Sequence, residues 1–101
     1  MSMDDQNRKA RRAARAEGQL DTAAFLKVAD RFIDVANREN QKIQATELHM
    51  AFLFSAARYN AHVAKNIMQI EKHEDFVNQM VEQYREMLRQ HMADPSLDPQ
   101  D

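Results

Sequence analysis

Phe25-Leu26-Lys27-Val28-Ala29-Asp30-Arg31-Phe32-Ile33-Asp34-Val35-Ala36 is the stretch on which the fold turns. Phe25, Leu26, Ala29, Phe32, Ile33 and Ala36 recur at intervals of three and four, the spacing of one face of an α-helix. Lys27, Asp30, Arg31 and Asp34 fall on the opposite side, and Val28 and Val35 widen the apolar stripe. Just upstream, Asp21 is a good N-cap, able to accept a bond from a first-turn amide. With Asp21 in that role, Leu20 and Phe25 occupy the two positions of a hydrophobic staple. Downstream, Asn37-Arg38-Glu39-Asn40 is polar and ends the pattern. The reading predicts a helix over 22–40.

Two more helices follow. Thr46 is another capping type, and Leu48, Phe52, Ala56, Tyr59, Val63 and Ile67 line one face beyond it. A second apolar set, Ala51, Leu53, Phe54, Ala57, Ala61 and Ala64, covers much of the remaining girth. A helix apolar on most sides is expected to be buried on most sides. The helix over 46–69 is therefore expected to be central. Phe76, Val77, Met80, Val81, Tyr84, Met87 and Leu88 define the third helix, over 74–92. Glu74 and Asp75 in its first turn suit the positive end of the helix dipole. Pro95 stops it by disfavouring helical dihedrals at Asp94.

The link Gln69-Ile70-Glu71-Lys72-His73 holds neither Gly nor Pro. Val63, Ile70, Val77 and Tyr84 continue a seven-residue repeat across it, which one long helix in a coiled coil would also produce. The companion positions Ile67, Glu74, Val81 and Leu88 are broken by an acid, and 71–75 has the charge of a solvated turn. A hairpin is preferred, with the continuous helix as the alternative.

Outside these helices lie two tails. The chain has 101 residues, enough for one domain. It contains one Gly and two Pro, and both prolines lie within the last seven residues. Few breakers mean few, long elements. The net charge of −2 conceals an asymmetry. Arg8, Lys9, Arg11, Arg12 and Arg15 make residues 1–20 basic, whereas Asp94, Asp98 and Asp101 make residues 93–101 acidic. Neither tail carries enough large apolar side chains to be buried, so both are read as disordered arms around a helical domain at 21–92.

Several chemistries are discounted by residue type. There is no Cys, which removes disulfides, thiolate nucleophiles and cysteine-bound metal clusters. His49, His62, His73 and His91 show no Glu-x-x-His or HExxH spacing, so no metal is expected. Ser2, Ser55 and Ser96 lack the setting of a nucleophile, and Gly18 alone makes no phosphate loop. No cofactor is expected. No apolar run approaches the roughly 18 residues of a membrane span, and the N-terminus lacks a secretory pattern. A cytoplasmic location without membrane association is the expectation. The basic arm could contact phosphates, but it contains no aromatic residue for base stacking. Within Arg58-Tyr59-Asn60, Arg58 and Asn60 interrupt an otherwise apolar region. The trio reads either as a recognition pocket or as a structural cluster in which Asn60 satisfies an interhelical bond.

Phe25–Asn37, Ala56–Ala61 and Phe76–Leu88 together resemble a small, mostly proteobacterial, all-helical family known only as a domain of unknown function. The resemblance spans roughly 22–92. It implies a bacterial, helical, cytoplasmic protein and carries over no functional residue. The resulting expectation is an all-α three-helix bundle, 22–40, 46–69 and 74–92. It serves as a protein–protein interaction or self-association module, with a homodimer as the leading form and no enzymatic activity. The surplus apolar girth of the second helix motivates it. A nucleic-acid accessory protein using the basic arm and a ligand- or metal-binding helical protein are the alternatives.

Overall fold

A computed structural model describes residues 20–100. The basic arm expected at the N-terminus therefore lies outside the described residues except for Leu20. Among the described residues there are three α-helices and no strand. They are α1 (Thr22–Glu39), α2 (Ala45–His62) and α3 (His73–Met92). The protein is all-α, and α1 and α3 match their predicted spans to within one residue at each end.

The chain divides into two compact units, Met1–Phe54 and Ser55–Asp101, with the division inside α2. In the first unit, α1 starts where the capping argument puts it. The Asp21 carboxylate accepts from the Ala24 amide at 2.7 Å, and the Asp21 carbonyl accepts from the Phe25 amide at 2.9 Å. At the other end, the Asn40 amide donates to the Ala36 carbonyl at 2.9 Å, and Lys42 and Ile43 both donate to the Glu39 carbonyl. These bonds turn the backbone out of the helix without a glycine. α2 then begins one residue earlier than predicted. Thr46 lies within its first turn, and the Gln44 carbonyl takes the amides of Glu47 at 3.0 Å and Leu48 at 2.9 Å.

The second unit contains the rest of α2 and a π-helical turn, Val63–Ile67. The continuous regular helix expected to 69 is thus replaced by α-helix to His62 and wider winding beyond it. The Met68 amide reaches back five residues to the Val63 carbonyl, and the Ile70 amide reaches the Ala64 carbonyl, each at 2.9 Å. Between them Gln69 adopts φ 54, the left-handed region that favours glycine. This residue reverses the chain, much as a C-terminal glycine does in a Schellman closure. α2 and α3 are therefore separate helices. α3 ends at Met92 and is capped by Ala93, whose amide meets the Arg89 carbonyl at 3.1 Å. The start of the acidic tail, read as disordered, holds a short 3-10 turn, Pro95–Leu97, capped by the Asp94 carboxylate on the Ser96 amide at 2.9 Å.

Burial departs from the expectation of a central second helix. Among the described residues Ala64, at 5% exposure, is the one buried apolar side chain. Asn60, Val63, Ile70, Phe76 and Met80 are half-buried, so covering in this unit collects around the turn. The large apolar side chains of α1 and of the first half of α2 stay open. Phe25 and Phe32 are each 59% exposed and Phe54 is 69% exposed. Leu26, Ile33, Val35 and Leu53 are exposed too. The physical reason is geometric. α1 is one-sided, but α2 spreads its apolar residues around its axis, and few helices cannot cover every side of such a rod.

Candidate functional site

Arg58, Tyr59 and Asn60 lie on α2, in the second unit. Arg58 is exposed, Tyr59 is 68% exposed and Asn60 is half-buried. Consecutive helical residues project about 100° apart, so three in a row do not face one another. The helix therefore does not bring this trio to one point. What it brings together is Tyr59, His62 and Asn66, at spacings of three and four. The Tyr59 and His62 rings lie 6.1 Å apart between centroids and are tilted by 39°. The Asn66 side-chain amide stands 3.1 Å from His62 Nδ1 and 3.2 Å from the His62 carbonyl. With its Nε2 protonated, the neutral imidazole accepts at Nδ1 from this amide. Asn66 itself sits in the π turn. The cluster thus ties the end of α2 to its change of winding. Sequence reasoning passed over Asn66, and the signal that would have found it is the 3-4 spacing from Tyr59.

The other titratable groups spread along helix flanks. Arg85 pairs with Glu82, and Arg89 pairs with Glu86 at 3.4 Å, both three residues apart and both exposed. Such pairs contribute about 0–1 kcal/mol. Asp94 has its carboxyl held below the usual range by the Ser96 backbone amide, with the Ser96 side chain and His91 acting in the same direction. Among the described residues no group of three His, Cys, Asp or Glu could hold a metal ion. An open depression of about 310 Å³ beside α1 is bordered by Leu20, Asp21, Ala24, Lys27, Val28 and Arg31 and contains no histidine or hydroxyl. No described helix is long and apolar enough to cross a membrane.

The most extensive feature is the open apolar surface. Along α3, Val77, Val81, Tyr84 and Leu88 are all exposed at intervals of four, three and four, with Met87 beside them. Fold and surface together define a small all-α protein with exposed large apolar side chains on each of its three described helices. The chain belongs to the family described as "Protein of unknown function (DUF3144)", whose model matches residues 25–95. No curated protein and no solved structure matches it.

Proposed function

We propose that this DUF3144 chain is a helical protein–protein interaction module, without enzymatic activity, that completes its core with a partner. The observation that carries the reading is the exposure of large apolar side chains on all three helices, Phe25, Phe32, Phe54, Tyr84 and Leu88 among them. Soluble monomers rarely leave contiguous apolar patches above a few hundred Å² open, and larger patches mark interaction sites. Methionines at 50, 68, 87 and 92 add exposed, adaptable contact surface. The absence of cysteine and the resemblance noted above support action in the bacterial cytoplasm.

Dye binding tests the reading. The dilute chain is expected to bind an apolar fluorescent probe such as anilinonaphthalene sulfonate while keeping its helical circular dichroism. It is also expected to unfold at a temperature that rises when a partner occupies the faces. A helical, cooperatively unfolding monomer that binds no probe would have its faces covered by its own chain, and the reading would fall.

A further inference from the structure

We infer that the partner on α3 is a second copy of this chain, paired antiparallel through Val77, Val81, Tyr84 and Leu88. This rests on the interaction-module reading and specifies its occupant. The four residues follow the 4-3-4 spacing of a coiled-coil seam. All four are exposed, whereas Phe76 and Met80 on the adjoining flank are half-buried. The flank nearest the turn is thus partly covered within the chain, and the seam is the side left for a partner.

Orientation follows from charge. The position one step before Val77 in the seam is Glu74, and the position one step after Leu88 is His91. Parallel pairing in register sets Glu74 against Glu74 of the other copy, and like charges placed opposite each other are destabilising. Antiparallel pairing sets Val77 against Leu88 and Val81 against Tyr84, and brings Glu74 to His91 at both ends. It also sets the acidic first turn, Glu74 and Asp75, beside the basic last turn, Arg89 and His91. The two helix dipoles then oppose each other favourably. The seam is its own complement in this direction, as a two-fold interface requires.

The absence of native cysteine makes the test direct. Val77→Cys and Leu88→Cys are prepared as two separate full-length variants and oxidised alone and mixed. The seam predicts a disulfide-linked dimer from the mixture and none from either variant alone. Eleven residues of helix separate these positions by about 16 Å, well beyond the roughly 7 Å between Cα atoms that a disulfide tolerates. Self-linking of each variant on its own would mean a parallel arrangement and would overturn the inference. Sedimentation equilibrium of the unmodified chain is expected to show a dimer at micromolar concentration. A monomer at high micromolar concentration that still binds the apolar probe would overturn self-pairing while leaving the interaction-module reading intact. A monomer that binds no probe would remove both.

Discussion

The two units of the chain treat their phenylalanines in opposite ways. Four of the five phenylalanines, Phe25, Phe32, Phe52 and Phe54, belong to the first unit, and all four are exposed. The second unit has the fifth, Phe76, half-buried, and has the buried Ala64 in the turn that separates two helices. The difference teaches that large size alone does not bury a side chain. Around Ala64 the backbone reverses within a few residues, so neighbours in sequence become neighbours in space and a methyl group is enough to fill the gap. Along α1 the chain runs straight for 18 residues, so a Phe on that rod can be covered only by another element. The first unit's large apolar side chains thus stay exposed, while the second unit's turn is settled locally.

The contrast can be broken most sharply at its smallest member. Ala64→Leu adds volume at the one buried apolar position among the described residues and is expected to destabilise the fold by about 2 kcal/mol. Urea denaturation followed by circular dichroism at a fixed chain concentration measures this. A change within 0.5 kcal/mol would show that the turn is not packed. In the first unit the counterpart is a polar bond. Asp21→Ala removes the cap on the Ala24 amide and should cost about 1 kcal/mol, with fraying detectable as faster hydrogen exchange in the first turn of α1.

Gln69 sharpens the comparison in the other direction. Its left-handed backbone costs a non-glycine residue about 1–2 kcal/mol. Glycine would recover this but lose part of it, about 0.4–1 kcal/mol, to the greater freedom of the unfolded chain. Gln69→Gly should therefore stabilise the second unit by about 0.5 kcal/mol in the same denaturation experiment. A loss of stability would mean that the Gln side chain carries a contact worth more than the strain.

The smallest effect concerns Asp94. Its carboxyl is held below its ordinary value of 3.8 by bonds from Ser96. A carboxyl lowered in the folded state stabilises that state above its unfolded pKa. The contribution is lost as pH falls through the lowered folded value. The Ser96 amide resonance should therefore shift on acidification at a pH below the normal carboxylate titration. A shift centred at the ordinary value would show that the cap does not hold in solution.

Much of this architecture was legible in the residues. The 3-4 spacing of Phe25 to Ala36, the capping carboxylate of Asp21 and the acidic start of α3 each act through the nearest turn of backbone. They accordingly placed the starts of all three helices, and the ends of α1 and α3, to within one residue. Arg58-Tyr59-Asn60 was legible only as an interruption of apolar sequence, because adjacency along a chain is not adjacency on a helix. The contacts that form there join Tyr59, His62 and Asn66.

The sequence by itself determined helix content and position, since propensity, capping and apolar period are local properties. Only the tertiary structure decided which faces are covered. A left-handed Gln69 between two helices, in a link without glycine, has no local signature. The outward apolar faces depend on how many neighbours each helix finds. Periodicity shows that a helix has a face to bury, but the element that buries it is a matter of three-dimensional supply, and on α3 that supply comes from a second chain under the pairing inferred above.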